Sequence, residues 1–129
     1  MIKIDTNSSV FLIEREDIEE GIKTLRKRSR IPVLSNGIYR LYDSEGVLLY
    51  IGKGKKVLNR VIEHMTGKSE NTRRFYKQIE RSEIHILPFY TERKIVDLEQ
   101  YLIKIFNPKY NRLKWSDGAV LAGSKYFEI

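Results

Sequence analysis

The sequence contains no cysteine, which excludes disulfide bonds and thiolate metal sites. Its two histidines, His64 and His85, argue against a multi-histidine zinc centre. Any bound metal is therefore expected on oxygen ligands, which suit a hard cation such as magnesium. No apolar run approaches the roughly 20 residues of a membrane span, and the N-terminus lacks the pattern of a signal peptide. We therefore expect a soluble, cytoplasmic protein without membrane contact.

Acidic residues are in the minority. Lysine and arginine number 24 against 17 aspartates and glutamates, for a formal net charge of +7. This excess favours a polyanionic partner such as nucleic acid, although charge alone decides little, since many basic proteins bind none. The length of 129 residues fits one domain with a core of its own.

The first 35 residues differ in character from the rest and are predicted to form an N-terminal helical extension packed on the main domain. A short apolar stretch, Val10–Ile13, precedes a segment that is mostly acidic over Glu14–Glu20 and mostly basic over Lys23–Arg30, an order that suits a helix dipole. One face of this helix is apolar, with Ile18, Ile22 and Leu25 at helical spacing. The extension could cap the core, bind DNA through its basic half or dimerise through its apolar face. Capping is favoured, because amphipathic helices gain most of their stability by packing.

The remainder of the chain shows strand and helix patterns. Two strands flank a turn at residues 43–46 and are followed by two helices, a third strand and a third helix: Gly37–Tyr42, Val47–Gly52, Lys56–Gly67, Ser69–Arg81, the run from Ile84 to Phe89, and Thr91–Phe106. This order predicts an α+β fold, a small sheet flanked by helices. The main domain is placed at residues 36–112 and is followed by a tail at residues 113–129.

Glu99 is the most informative residue of the last helix. At 3.6 residues per turn it falls near the centre of an apolar stripe formed by Ile95, Leu98, Leu102, Ile103 and Phe106. A carboxylate on an apolar face is costly unless it is paired or bound to metal. The helix alone does not distinguish a metal ligand from a buried ion pair.

The first helix of the main domain and the two hairpin strands carry polar groups that could meet. Arg60 and His64 are four residues apart, on a face that borders the buried stripe of their helix. They could line a cleft at the edge of the core, although an exposed pair is the commoner outcome. Hairpin pairing could bring Tyr39 and Tyr50 close together, although isolated tyrosines of this kind are more often part of a core.

Two basic groups are candidates for contacts with a nucleic-acid backbone. The first is the glycine-containing loop after the second strand, which carries Lys53, Lys55 and Lys56. That loop does not match the spacing of a P-loop nucleotide motif. The second is one side of the predicted second helix, which carries Arg73, Arg74, Lys77 and Arg81. A solvated surface explains that side equally well.

The order of these residues resembles the GIY-YIG nuclease family. The name motif of the family is present in literal form as Gly37-Ile38-Tyr39 followed by Tyr50-Ile51-Gly52. The downstream residues of the family pattern are also present in order: Arg60, His64, Glu99, and Asn111 at the end of Asn107-Pro108-Lys109-Tyr110-Asn111. The resemblance covers about residues 36–112 and implies a small three-stranded antiparallel sheet with helices packed around it.

The resemblance also implies a catalytic metal site. One Mg²⁺ or Mn²⁺ ion would be held by Glu99, with phosphate and water completing its coordination shell. Arg60 would bind phosphate oxygens with its planar guanidinium, and Lys53 would add a positive charge nearby. Gly52 and Asn111 would support the site structurally.

Within that site, the resemblance makes Tyr39 the leading general base for the attacking water, with Tyr50 supporting it. A free tyrosine has a pKa of about 10 and is a poor base at neutral pH. Adjacent Lys53, Arg60 and the metal are therefore expected to lower the pKa of Tyr39. His64 would accept a proton from Tyr39 or hold it by a hydrogen bond.

These features together favour a divalent-metal-dependent endonuclease acting on double-stranded DNA. The short chain and the lack of a second DNA-binding motif favour a compact restriction-like enzyme, or a stand-alone phage, mobile-element or repair nuclease, over a long-site homing enzyme. A non-catalytic nucleic-acid-binding module and an RNA-cutting enzyme with the same site are the alternatives. Cutting both strands would need two active sites, which predicts a homodimer.

Overall fold

The computed structural model of the protein describes residues 3–5 and 10–111. Its strands are β1 (Lys3–Asp5), β2 (Val10–Glu14), β3 (Gly37–Tyr42), β4 (Leu48–Gly54) and β5 (Arg81–Ile86). Its helices are α1 (Arg15–Glu20), α2 (Ile22–Ser29), α3 (Val57–Met65), α4 (Glu92–Phe106) and a short 3₁₀ helix at Tyr76–Gln78. The predicted tail at residues 113–129 lies outside the described residues. Within those residues, no helix has both the length and the apolar character needed to cross a membrane.

One antiparallel sheet joins the five strands in the order β1-β2-β5-β3-β4. The predicted α+β fold with an antiparallel sheet is confirmed, and the three predicted strands correspond to β3, β4 and β5. The predicted number of three strands is wrong, because the N-terminal region adds β2 beside β5 and the three-residue β1 beside β2. Strand β4 lies at the opposite edge of the sheet.

The N-terminal region is helical only in part. The apolar stretch Val10–Ile13 forms most of β2, because its side chains alternate between the two faces of the sheet in register with those of β5. Phe11 lies opposite Ile84, and Ile13 lies opposite Ser82. A four-residue apolar run is compatible with either a strand or a helix, and the neighbouring strand decides the outcome here.

The helix predicted after that stretch is divided into α1 and α2. The division falls at Gly21, whose φ of 126° is far from helical geometry and is accessible to glycine at low cost. Leu25 is buried in the main core, and Ile18 and Ile22 pack against it. The apolar face of α1 and α2 therefore covers the core, while DNA binding and dimerisation by this region stay predictions.

Each face of the sheet carries a helical layer. Helices α1, α2 and α3 cover one face, here called the α3 face, whose core includes the side chains of Tyr39, Leu41, Tyr50 and Ile84. Helix α4 covers part of the other face, here called the α4 face, through a smaller cluster of Ile38, Ile51, Ile95 and Ile103. The helices that carry Arg60 and Glu99 therefore approach the sheet from opposite sides.

The prediction of a helix over Ser69–Arg81 is wrong. The segment forms turns followed by the short 3₁₀ helix, and Arg81 already belongs to β5. Its backbone bonds span three residues, since the amide of Thr72 donates to Ser69 and the amide of Phe75 donates to Thr72. Short polar side chains such as serine, threonine and asparagine compete with helical hydrogen bonding, and three of them, Ser69, Asn71 and Thr72, stand at the start of this segment.

Arg15, the first residue of α1, joins the N-terminal region to the main domain. Its guanidinium donates hydrogen bonds to three backbone carbonyls, those of Met65 at the end of α3 and of Tyr76 and Ile79 before β5. The last two bonds measure 2.7 and 2.5 Å. Arginine suits this task because its five N–H donors form a rigid, planar arrangement.

Replacing Arg15 with methionine is expected to lower the free energy of unfolding by about 2 kcal/mol, because three partly buried carbonyls lose a charged donor. Chemical denaturation measures the difference from the wild type. Arg28→Met is the matched control, since Arg28 forms a 3.2 Å ion pair with Glu20 and both side chains are about half exposed. That pair is expected to contribute about 0.5 kcal/mol or less. Equal losses in the two variants would contradict this account of Arg15.

Candidate active site

Tyr39 lies in the middle of β3 and is almost completely buried, with 1% of its surface exposed. Its strand partner is Gly52 of β4. A Cβ atom at Gly52 would lie 2.2 Å from the hydroxyl oxygen of Tyr39, so the tyrosine side chain extends directly over the glycine. The tyrosine of the first tripeptide motif therefore lies directly over the glycine of the second motif.

His64 of α3 contacts the hydroxyl group of Tyr39. Its Nε2 atom lies 2.5 Å from the Tyr39 oxygen, and its Nδ1 atom lies 2.8 Å from the Oγ1 atom of Thr72. The imidazole is fully buried and also packs against Tyr50, with ring centroids 5.5 Å apart. The structure therefore brings His64, Tyr39 and Tyr50 together on the α3 face.

Arg60, one turn before His64, brings positive charge to the two tyrosines. Its positive charge lies close enough to the buried phenol to lower the pKa of Tyr39, and its guanidinium forms a 3.0 Å ion pair with Glu63. About a third of the side chain (32%) is exposed. A phosphate in solution can therefore reach the guanidinium while that group contacts the buried phenol.

Burial dominates the pKa values of both tyrosines. Loss of hydration raises the pKa of Tyr39 well above its usual value, with Tyr50 and Glu99 adding to the rise and Arg60 opposing it. The same loss of hydration, with Glu99 adding to it and Arg60 opposing it, raises the pKa of Tyr50 to about 12. The predicted lowering of the pKa of Tyr39 is therefore wrong for the protein alone. Burial of the phenolate raises the pKa by more than the positive charge of Arg60 lowers it.

Glu99 faces the sheet from α4, and its side chain is half-buried. It lies one turn from both Ile95 and Ile103, which are buried on the α4 face. Its negative charge raises the pKa values of Tyr39 and Tyr50, so it lies within electrostatic reach of both phenols. Helix α4 packs on β4 and β3, the two strands that carry Tyr50 and Tyr39.

Lys53 does not join the tyrosines. It follows Gly52 on β4, and the two-residue period of a strand turns its side chain to the α4 face. There it is exposed and lines a cavity of about 280 Å³ together with Asn36 and Glu92. The expectation that Lys53 lies beside Tyr39 is therefore wrong.

The residues predicted to contact a nucleic-acid backbone are dispersed, because the segment expected to align most of them is not a helix. Lys55 and Lys56 are exposed on the loop before α3, and Lys55 forms a 3.1 Å ion pair with Glu92. Arg73 and Arg74 are exposed on the turns that follow α3, and Lys77 is exposed on the short 3₁₀ helix after them. Contacts between these five side chains and nucleic acid stay a prediction.

Arg81 lies apart from that group, on β5. Its guanidinium carbon is 4.4 Å from the centroid of the Tyr42 ring, and its Nη2 atom is 3.8 Å from the carboxylate of Glu83. The side chain is about one third exposed. These contacts are internal to the α4 face of the sheet, so the expectation that Arg81 shares one side of a helix with Arg74 and Lys77 is wrong.

Asn111 binds the free edge of β4. Its Oδ1 atom accepts a 2.9 Å hydrogen bond from the amide of Ile51, and its Nδ2 atom donates a 3.0 Å bond to the carbonyl of Ile51. Because its side chain is 98% buried, both bonds are shielded from water. Asn111 thereby fixes the residue between Tyr50 and Gly52, a position that suits the predicted supporting role.

The sequence predictions omit two polar residues at this site. Thr72 is fully buried beside His64, and the side chain of Asn71 lies close enough to Tyr50 to lower the pKa of that phenol. Both belong to the turn segment that was expected to be helical. No local pattern marks them, because their partners lie on α3 and β4 and only the tertiary fold brings them together.

Glu99 is the residue best suited to hold a metal ion. In the part of the chain that the structure describes, no group of three or more histidines and carboxylates is placed to bind one. A single carboxylate near two phenol oxygens suits a hard cation that keeps several waters and takes phosphate oxygens, as Mg²⁺ does. It does not suit zinc, which takes three or four protein ligands. The residues present therefore fit the predicted magnesium ion.

Comparisons with known sequences agree with this geometry. Residues 35–112 match the family model of the UvrC-like GIY-YIG domain. UvrABC system protein C of Zymomonas mobilis subsp. mobilis is 35% identical over 106 residues, which are 81% of this chain and 16% of that protein. UvrABC system protein C of Campylobacter jejuni subsp. jejuni is 32% identical over 110 residues, which are 80% of this chain and 17% of that protein. The chain thus spans about a sixth of the length of these relatives.

Solved structures give the same result. The chain is similar to the GIY-YIG N-terminal endonuclease domain of UvrC from Thermotoga maritima bound to magnesium as its catalytic divalent cation, with a TM-score of 0.52 and 30% identity. That match covers 70% of this chain and 99% of the other. A point variant of the same domain, also bound to its catalytic divalent cation, matches with a TM-score of 0.52 and 29% identity over 70% of this chain and 97% of the other.

Proposed function

Because the chain belongs to the UvrC-like GIY-YIG domain family, we propose that it is a divalent-metal-dependent endonuclease that hydrolyses phosphodiester bonds in double-stranded DNA. The family predicted from the sequence is confirmed by that match, and with it the enzyme class, a GIY-YIG-type nuclease. The observation that best supports the activity of this chain is the buried pair of Tyr39 and His64. The pair is hydrogen-bonded, contacts Arg60 and lies within electrostatic reach of Glu99.

The proposed site separates phosphate binding from proton transfer. Arg60, with its partly exposed guanidinium, binds non-bridging phosphate oxygens and offsets the charge that develops on them. A divalent cation bound by Glu99 would supply further charge relief at the phosphate and at the departing oxygen. Lys53 lies on the α4 face of the sheet, away from Tyr39, where it can contact a neighbouring phosphate of the strand.

The proton path follows from the pKa of Tyr39. Because burial raises that pKa, the phenol is protonated at neutral pH, and a protonated phenol cannot accept a proton from water without releasing its own. The contact with His64 Nε2 provides the acceptor at 2.5 Å. Tyr39 therefore receives a proton from the attacking water while it passes its own proton to His64.

Among the restriction, mobile-element and repair settings, we favour repair-type incision, because the curated relatives are components of the UvrABC system. The chain spans only about a sixth of those proteins, so their partners are not assigned to it. A homodimer stays a prediction.

The test of this proposal is cleavage of a supercoiled plasmid with Mg²⁺ or with EDTA, comparing the wild type with Tyr39→Phe. We expect nicking that requires Mg²⁺ and falls by about 100-fold in Tyr39→Phe, the usual contribution of a positioned acid–base group. Tyr101→Phe is the matched control, since Tyr101 is 60% exposed on α4, and it should cut like the wild type.

The alternatives give different results in the same assay. Cleavage of RNA but not of the plasmid would assign the same site to an RNA substrate. Tight binding of DNA that does not depend on metal, without cleavage of either nucleic acid, would make the protein a binding module. Full activity of Tyr39→Phe would remove Tyr39 from the mechanism.

A further inference from the structure

A continuous row of polar side chains crosses the interior beside the proposed site. It runs from Arg60 to Tyr39, then to His64, and ends at Thr72. Tyr39, His64 and Thr72 are each at least 99% buried. Water therefore does not compete for these hydrogen bonds, and the donor or acceptor state of each atom is set by its neighbours.

The direction of the row follows from the chemistry of Arg60. A guanidinium carries hydrogen-bond donors and no acceptor, and the positive charge of Arg60 lies close enough to lower the pKa of Tyr39, so the Tyr39 oxygen turns its lone pairs towards Arg60. The hydroxyl hydrogen of Tyr39 must then point to its other contact, Nε2 of His64. That nitrogen accepts, and a neutral imidazole that accepts at Nε2 carries its hydrogen on Nδ1. Nδ1 therefore donates, and the Oγ1 atom of Thr72 accepts.

We propose that Thr72 is a positioning residue that holds His64 in the tautomer protonated on Nδ1, in which Nε2 accepts the hydrogen bond of Tyr39 and can take its proton. This inference rests on the proposed function, because it matters for cleavage only if Tyr39 passes its proton to His64. In the other tautomer, Nε2 would donate to Tyr39 and could not take its proton. The hydroxyl group of Thr72 thus helps to keep the proton path open by accepting the Nδ1 hydrogen that this tautomer carries.

The surroundings of Thr72 show why its hydroxyl can keep this position. Its amide donates to Ser69 at 3.3 Å, and its carbonyl accepts from the amide of Phe75 at 3.0 Å. Phe75 is buried and stacks on Tyr110, with ring centroids 4.0 Å apart. The turn that carries Thr72 is therefore fixed by backbone bonds and by an aromatic pair, and the hydroxyl is not required for either.

The tautomer can be measured directly, without any cleavage assay. Long-range ¹H–¹⁵N correlation spectra of the full chain distinguish the protonated from the unprotonated ring nitrogen of each histidine. The chain has only two histidines, so His85 serves as an internal reference. We expect His64 of the wild type and of Thr72→Ser to be protonated on Nδ1, and Thr72→Val to shift towards protonation on Nε2 with the signals of His85 unchanged.

Cleavage kinetics give the second readout. We expect kcat of Thr72→Val to fall by about tenfold, a typical loss for an outer hydrogen-bond partner of a histidine, with KM for DNA within a factor of about two. Thr72→Ser should restore kcat, and thermal melting of both variants checks that they fold. Protonation of wild-type His64 on Nε2, or an unchanged tautomer and kcat in Thr72→Val, would overturn the inference. Failure of the wild type to cut any nucleic acid would instead refute the proposed function. The spectra would still decide whether Thr72 orients His64.

Discussion

Replacement of Glu99 by glutamine is expected to lower the rate of metal-dependent cleavage by at least about 1000-fold. Glutamine keeps the shape of the side chain but removes the negative charge that a hard cation requires. Loss of the cation removes several kcal/mol of charge stabilisation at the phosphate and the leaving oxygen, and each 1.36 kcal/mol corresponds to about a factor of ten in rate.

Binding of the cation should be lost together with activity, and isothermal titration with Mn²⁺ measures it independently. Asp97→Asn is the matched control, because it removes a carboxylate from the same helix. Asp97 is 63% exposed and forms an ion pair with Arg93 rather than facing the sheet. Asp97→Asn should bind Mn²⁺ and cut DNA like the wild type. Retention of both properties by Glu99→Gln would remove Glu99 from the site.

Replacement of Gly52 by alanine is expected to reduce cleavage by more than about 100-fold and to lower the free energy of unfolding by about 3 kcal/mol. The added Cβ would lie 2.2 Å from the hydroxyl oxygen of Tyr39 and 2.4 Å from its Cζ atom. A buried ring with neighbours on every side cannot yield without moving the backbone. The displaced hydroxyl would also leave Nε2 of His64, which breaks the proton path.

Gly54→Ala is the control for this prediction, since it adds the same methyl group two residues further along β4. A Cβ at Gly54 would lie 3.4 Å from the Cβ of Arg60 and 3.5 Å from the Cα of Val57, both ordinary contacts. The free energy of unfolding of this variant should lie within about 1 kcal/mol of that of the wild type, and the variant should keep most of its activity. If Gly52→Ala and Gly54→Ala behave alike in denaturation and cleavage, the close approach of Tyr39 to β4 is not what the site requires.

The parts of the site that depend on periodicity within one element are predicted well from the sequence. Arg60 and His64 lie on the face of α3 expected for residues four apart, at the edge of its buried stripe. Glu99 lies on the packing face of α4. In each case a regular helix fixes the direction of the side chain once its start is known.

The parts that depend on contacts between elements are predicted poorly. Nothing in the local sequence shows that the stretch Val10–Ile13 finds a partner strand in β5, or that Thr72 meets His64 across a turn. The family resemblance implies that Lys53 lies near Tyr39, yet the alternation of β4 turns its side chain to the other face. The pKa of Tyr39 depends on burial by several elements, which sequence spacing alone does not measure.

The position of β2 has a consequence for any shortened form of the protein. The family match begins at residue 35, but β2 pairs with β5 along all five of its residues. Removal of the first 34 residues would leave β5 with a row of unpaired amides and carbonyls, a surface on which strands of other molecules can add. The N-terminal region therefore protects the sheet against self-association, and a minimal nuclease fragment should start before β2.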